Sequence, residues 1–269
     1  MIDRSSRDSI GNFKSDGLMP PVLLQNNTKE LNDFIDSEVE KGYERAYIFG
    51  NGKGLNNVTE EEISIINDND KFVSIGINRT FWKFYTDYLL FADHNTLNVI
   101  MKHIFSLKRN LNIISIRSFN YSPPISSQFV DSLNGEFPDH KEYGLFFNSN
   151  SLPSAIHLAT ILNVKEIVLS GVDYDGREYF YPHHLSIIPR TTARMKDPDR
   201  PYDLSYDKNS GFKAFRKKGD EMNTYNAVVE SIKMSNKEGV EFYYTDKSVF
   251  LEYISSKLNI NKTERLIWQ

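Results

Sequence analysis

Cysteine is absent from all 269 residues. That one absence removes disulfides, thiolate metal centres and a cysteine nucleophile together. It also suits a reducing compartment, so a cytoplasmic protein is expected. No apolar run approaches the ~20 residues that a bilayer crossing requires. The opening MIDRSSRDSIGNFKSDGLMPP lacks the apolar core of a secretory signal. A soluble globular chain without a membrane span is therefore expected. Positive charge is not in excess: 32 Lys and Arg against 36 Asp and Glu give a formal net charge of −4. No global field draws a nucleic-acid backbone, and local basic stretches such as FRKKG (215–219) do not change that balance. There is no GxSxG, so an α/β-hydrolase reading has no nucleophile elbow. There is no GxxxxGK[ST] either, so no Walker phosphate loop.

What is present is a rhythm of short apolar runs and helical patterns. Residues 1–28 are polar and punctuated by Gly11, Gly17, Pro20 and Pro21, which predicts a flexible N-terminal arm. Glu30 to Lys41 places Leu31, Phe34, Ile35 and Val39 at helical spacing, closed by Gly42. Strands are predicted at Ala46–Phe49, Lys71–Asn78, Asp87–His94, 111–118, 164–173 and 240–246. Helical stretches separate them. One opens at Thr59 with Glu62 three residues on, a capping box, and others cover NTLNVIMKHIFSLK (95–108) and LPSAIHLATILN (152–163). Alternating strands and helices imply an α/β fold, a Rossmann-like, mostly parallel sheet with helices on both faces. The span 174–219, rich in Tyr, Pro, Arg and Asp, breaks the rhythm and is read as an inserted lid or small subdomain. This gives a nucleotide-binding core at 29–173, the lid at 174–219, and a C-terminal part of the core at 220–269.

In such sheets the ligand lies beyond the carboxyl ends of the strands. Asn51, Asn78, Asp93 and Asp173 each follow an apolar strand at once or within two residues. The first of these ends is AYIFGNGKGLNNV, where Gly50, Asn51, Gly52 and Lys53 form a turn that then opens a helix. Such a turn offers backbone N–H groups to an anion, and glycine removes the Cβ that blocks close approach. Lys53 adds charge. The amide of Asn51 both donates and accepts, so it can read a sugar hydroxyl, a base edge or a phosphate. The stretch has the first two glycines of GxGxxG but Leu55 in the third place. A tight turn without a ligand is the alternative.

Aromatic residues make up 13%, with ten of the 15 tyrosines in the second half, and fit an ordinary core with surface tyrosines, or a pocket that stacks on a sugar or base. Asp93-His94 are candidate metal ligands. Asp173-Tyr174-Asp175 has the DxD spelling that chelates a cation on a nucleotide diphosphate. His183 and His184, adjacent in a loop, read as lid residues rather than as a metal pair, and His157 as a packing or surface residue. Arg190, Arg194, Lys196 and Arg200 make the lid basic, either to close on an anionic ligand or as a solvated loop.

YIFGNGKGL, IGINRTF and NSLPSAIHLATILNVKEIVLSGVD resemble, in order and spacing, three blocks of the bacterial sialyltransferases of glycosyltransferase family 42. The same opening is similar to that of the wider superfamily, with the flagellin-modifying glycosyltransferases and pterin diphosphokinases. The resemblance runs from Tyr47 to Asp173. It implies an inverting, metal-independent transferase with no cofactor, moving a sialic-acid-like sugar from a CMP donor to a cell-surface glycan or glycolipid, as in bacterial lipopolysaccharide biosynthesis. It places Asn51 and Gly52 at the donor phosphate and ribose, Asn78 at the nucleotide, Ser151 at the donor, Asp173 at the base of the lid, and Tyr179 or Tyr181 at the departing phosphate. Gly50, Lys53, Asp93, Asn150 and Gly171 complete the candidate substrate-binding residues. The chain departs from the pattern at Lys53 and Gly54, where the family has Pro and Ser, and at Asn150 and Leu152, where it has Thr and Gly. GDEMNT puts Asp220 where the family carries its catalytic histidine. The base is then Asp220, Glu221, His183 or His184. Peripheral membrane association and a homo-oligomer are left open. The alternatives are a metal-dependent nucleotide diphosphate-sugar transferase or diphosphokinase-like enzyme, and a nucleotide-fold binding protein without activity.

Overall fold

The computed structural model describes residues 22–26, 28–92, 112–116, 135–147, 151–172, 204–207, 211–214, 224–245 and 248–267. In chain order the strands are β1 (Val22–Gln25), β2 (Arg45–Phe49), β3 (Phe72–Ile77), β4 (Tyr88–Phe91), β5 (Asn112–Ser115), β6 (Glu166–Ser170), β7 (Leu204–Asp207), β8 (Gly211–Ala214), β9 (Glu241–Tyr244) and β10 (Ile260–Lys262). The helices are α1 (Lys29–Val39), α2 (Glu60–Asn67), α3 (His140–Tyr143), α4 (Leu152–Ile161), α5 (Thr224–Lys237) and α6 (Val249–Ser255). Eight strands form one sheet in the order β1-β5-β4-β3-β2-β6-β9-β10, every pairing parallel. The fold is thus α/β with a parallel sheet, and all six predicted strands lie in it.

The central strand shows why. Ala46, Tyr47, Ile48 and Phe49 are all fully buried, the mark of a parallel strand covered on both faces. Successive side chains alternate between the faces. Ala46 and Ile48 join a large core with Ile75, Leu90, Ile156, Leu169, Val228 and Phe250. Tyr47 and Phe49 join a smaller one with Leu55, Ile63, Ile66, Phe84, Val168 and Leu266. Helix α2 covers that second face. Its start is the capping box read from the sequence: Thr59 Oγ1 accepts the Glu62 N–H at 3.1 Å, and the Glu62 carboxylate accepts the Thr59 N–H at 2.9 Å.

One reading changes. Residues 22–25, assigned to the flexible arm, form the edge strand β1, in register with β5 from Val22↔Asn112 to Gln25↔Ser115. The apolar VLLQ run is too short for periodicity to mark it, and the pairing is long range. Asn26 secures its end: Nδ2 donates to the carbonyls of Ile116 (3.1 Å) and Leu145 (3.2 Å), and Oδ1 accepts the Leu145 N–H at 2.7 Å. Thr28 then caps α1 by accepting the Leu31 N–H. The lid span also contains regular structure, the antiparallel hairpin β7–β8, paired from Leu204↔Ala214 to Asp207↔Gly211. The predicted helix at 95–108 and residues 1–21 lie outside the described residues.

The order of strands sets the place of the crevice. From β2 the chain steps to β3, β4 and β5 on one side, and later returns to β6 and β9 on the other. The direction of winding therefore reverses between β2 and β6, and the loops at their carboxyl ends diverge there. Register puts Phe49 beside both Gly76 and Ser170. The next residues of the three strands, Gly50-Asn51, Ile77-Asn78-Arg79 and Gly171-Val172, share one rim. At the opposite end of the sheet, buried Glu38 accepts the hydroxyls of Tyr43 (2.9 Å) and Tyr88 and pairs with Lys41 at 2.8 Å. Each oxygen of that carboxylate is occupied, and the cluster ties α1 to β4.

Candidate functional site

The glycine turn is first a device for bringing two strand ends together. Gly50 N–H donates to Ser170 O at 2.8 Å, and Gly52 N–H donates to Gly171 O at 2.7 Å. A Cβ on Gly50 would stand 2.3 Å from Gly171 O, closer than any real contact allows. Gly171 itself has φ +66°, the left-handed region that glycine enters without strain. This corrects the reading of the turn as open anion donors at two positions, Gly50 and Gly52. The N–H groups of Gly50 and Gly52 are spent on β6, so these glycines build the floor of the crevice.

Asn51, half-buried, reaches across to the neighbouring strand. Its Oδ1 accepts the backbone N–H of Arg79 at 3.1 Å. The acceptor end of the amide is thereby committed, and the NH₂ end is the half left for a ligand. Thr80 reinforces the same junction from below. Its buried hydroxyl lies 2.8 Å from Ile77 O and 3.1 Å from Phe49 O, and accepts the Ile77 N–H at 3.2 Å. Space for it exists because residue 76 is glycine; a Cβ there would meet Thr86 Oγ1 at 2.7 Å and Thr80 Cβ at 3.2 Å.

Asn78 sits where β3 leaves the sheet, at φ +53°. A side chain in that region costs about 1 kcal/mol or more, least for Asn, and such residues gather at functional sites. Its N–H donates to Leu90 O at 2.8 Å. Ser151, buried at the residue before α4, directs its hydroxyl at Asn78 Oδ1, 3.5 Å away, instead of capping its own helix. Pro153 in the first turn of α4 costs no hydrogen bond there. The helix begins beside the crevice, so its N-terminal partial charge lies near the amide of Asn78.

Helix α4 also holds the segment leading to residue 148. Ser154 Oγ donates to Phe146 O at 2.7 Å, and His157 Nδ1 accepts the Phe146 N–H at 2.8 Å. The His157 ring stacks on Phe137 at 4.3 Å between centroids. Burial pushes its pKa down to about 3, so the ring is neutral and occupied. Of the two expectations for His157, packing or surface, the structure shows packing.

Gly50, Asn51, Gly52, Asn78, Ser151 and Gly171 therefore meet at one rim, and Lys53 stands exposed on the 3-10 turn Lys53–Asn57 beside it. Asp93, Asn150, Asp173, Tyr179, Tyr181, His184 and Asp220 lie outside the described residues, as do His94, Asp175, His183 and Glu221. Among the described residues no group of three or more His, Asp or Glu could hold a metal ion. No described helix is long and apolar enough to cross a membrane.

Two residues of the rim escape a reading by residue type. Thr80 and Arg79 stand in INRT, whose polar end is visible in the sequence, yet nothing there says that both would be buried. Arg79 is 5% exposed, and its guanidinium carbon lies 5.2 Å from the centre of the Trp82 ring. The signal available was an arginine followed three residues later by tryptophan, directly after a strand.

No protein-family model matches the chain, and no curated protein matches it. Among solved structures the chain is similar to the monofunctional α-2,3-sialyltransferase Cst-I from Campylobacter jejuni, at 12% identity over 78% of each chain with a TM-score of 0.47. It is also similar to the Campylobacter jejuni sialyltransferase CstII in complex with a substrate analogue, CMP-3FNeuAc, at 12% identity over 78% of this chain and 84% of that one, TM-score 0.43. A CST-II variant in complex with CMP shares 14% identity over 84% of this chain and 89% of that one, with a TM-score of 0.49.

Proposed function

We propose that the chain is a glycosyltransferase that moves a sialic-acid-like sugar from a CMP donor to a glycan or glycolipid acceptor, with inversion and without a metal. The observation that carries this reading is the meeting of Asn51, Asn78 and Ser151 at the point where the sheet changes its winding direction, from three separate stretches of sequence. Those stretches are the ones whose motifs resemble the family 42 sialyltransferases. Two amides and a hydroxyl are neutral hydrogen-bonding groups, which suits a nucleoside with its ribose and a single phosphate.

In this reading the acceptor hydroxyl attacks the anomeric carbon of the donor, the bond from that carbon to the phosphate oxygen breaks, and CMP departs with the electron pair. The hydroxyl proton passes to a base, for which Asp220 and His184 are the candidates. Tyr179 and Tyr181 are the candidate donors to the departing phosphate. The N-terminus of α4 and Ser151 add dipoles on the phosphate side. No cofactor takes part, and the basic lid sequence suits an anionic donor or acceptor. A lipopolysaccharide-type acceptor, a cytoplasmic location and a homo-oligomer belong to the same proposal.

A thermal-shift panel of CMP, CDP, UDP, GDP and ATP, each with and without magnesium, tests it. A ligand at one hundred times its Kd stabilises the fold by about 2.7 kcal/mol, so CMP without metal should raise the melting temperature clearly. If only diphosphate or triphosphate nucleotides act, and only with magnesium, the metal-dependent reading through Asp173 and Asp175 replaces this one.

A further inference from the structure

We propose that Arg79 is the residue with which this crevice holds an oxyanion of its ligand, either the nucleotide phosphate or a carboxylate on the sugar. The inference rests on the nucleotide-sugar reading and adds a residue outside the positions that the resemblance assigns. The resembling block has its asparagine at Asn78, and Arg79 follows it.

The supply of donors at the rim points to it. Four backbone N–H groups at the rim are in use: Gly50 to Ser170 O at 2.8 Å, Gly52 to Gly171 O at 2.7 Å, Asn78 to Leu90 O at 2.8 Å and Arg79 to Asn51 Oδ1 at 3.1 Å. Among the described residues the side chains that converge there, Asn51, Asn78 and Ser151, are neutral. Lys53 carries charge but is exposed, where water and salt weaken its pull. Arg79 is a cation enclosed at that level of the sheet.

Its setting suits recognition. The main chain of Arg79 is clamped by Asn51, and Thr80, the next residue, is bolted to the ends of β2 and β3. The guanidinium lies over the Trp82 ring at 5.2 Å, which restrains a side chain that otherwise loses much freedom on binding. A planar fork held in this way matches two oxygens of a phosphate or carboxylate. In a low-dielectric wall the attraction exceeds that of an exposed lysine.

The test is isothermal titration of the full chain with cytidine, CMP and CMP-N-acetylneuraminate, on the wild type and on R79Q and R79K, with thermal denaturation to verify folding. R79K keeps a cation in place and guards against a folding failure of R79Q. The wild type should bind CMP, or the CMP-sugar, more tightly than cytidine. R79Q should weaken the anionic ligand by about tenfold or more, the scale of a charge-assisted hydrogen bond, and R79K by less, with cytidine unchanged in both. A loss already seen with CMP assigns the phosphate, and one confined to the CMP-sugar assigns the carboxylate. If folded R79Q and R79K bind all three ligands as the wild type does, or lose cytidine as much as CMP, the role of Arg79 is overturned while the donor reading stands. A wild type that binds no cytidine compound overturns both.

Discussion

The amide oxygen of Asn51 accepts the backbone N–H of Arg79 at 3.1 Å, so the turn after β2 and the end of β3 are joined by one side chain. The hydrogen bond makes Asn51 a clamp as well as a candidate ligand, and the two roles separate by mutation. Asn51→Ala removes the acceptor and should cost about 1 kcal/mol of stability, more if the Arg79 N–H is left without water, together with nucleotide binding. Asn51→Asp keeps an acceptor for the N–H and adds negative charge. Its stability should stay close to that of the wild type while CMP binding falls. Urea denaturation and CMP titration of both variants measure this, and equal CMP affinity in all three proteins would remove Asn51 from the site.

Gly50 tests how closely the crevice floor is built. A methyl at this position would fall 2.3 Å from Gly171 O, so β2 and β6 must part at the point where their loops diverge. Gly50→Ala should lower stability by about 1–3 kcal/mol, the range for overpacking in a closed site. It should also lower ligand affinity at temperatures where the protein remains folded. Gly42→Ala is the control. Gly42 has φ +65° with nothing within 4 Å of the added Cβ, so it should lose about 1 kcal/mol from backbone strain alone and leave affinity unchanged.

Much of the sheet was legible in advance because its strands are buried on both faces. A run such as Tyr47-Ile48-Phe49 has no polar face to hide, so composition alone marks it. The capping box at Thr59 and Glu62 was legible for a local reason: both partners lie within one turn. The edge strand β1 was not, since VLLQ is four residues long and its partner Asn112–Ser115 lies far along the chain. At the crevice the residue types were visible but their commitments were not. The glycines of GNG looked like anion donors, yet the strand that consumes their N–H groups arrives more than a hundred residues later, as Ser170 and Gly171. Burial of Thr80 is equally non-local, since its hydroxyl packs 3.1 Å from the Phe49 carbonyl of β2.

His157 gives the protein a defined sensitivity to acid. Burial lowers its pKa from 6.5 to about 3, while in the unfolded chain it titrates normally. Between those values the unfolded state binds a proton that the folded state refuses. Stability is therefore full above pH 6.5 and falls as the pH drops toward 3, by up to about 1.4 kcal/mol per pH unit from this group. Urea midpoints at pH 7.5 and 5.0 should show the loss, and His157→Asn, which cannot titrate, should flatten that part of the slope at the expense of baseline stability. A slope unchanged by the substitution would mean that His157 is not the group responsible.

Thr80 separates positioning from binding. Its hydroxyl receives the Ile77 N–H at 3.2 Å and stands 2.8 and 3.1 Å from the carbonyls of Ile77 and Phe49, while its carbon atoms fill the space over Gly76. Thr80→Val has nearly the same shape and no hydroxyl, so the Ile77 N–H and the Phe49 carbonyl lose a buried partner. The cost should be about 1–3 kcal/mol. Thr80→Ser keeps the hydroxyl and loses a methyl, which should cost about 1 kcal/mol. If the hydroxyl sets the spacing of β2 and β3 beneath Asn51 and Asn78, CMP affinity should fall in Thr80→Val and recover in Thr80→Ser, even where the two variants are brought to equal stability by choice of temperature. Affinity that follows stability alone, with the serine variant no better than the valine, would show that Thr80 holds the sheet together and has no part in shaping the crevice.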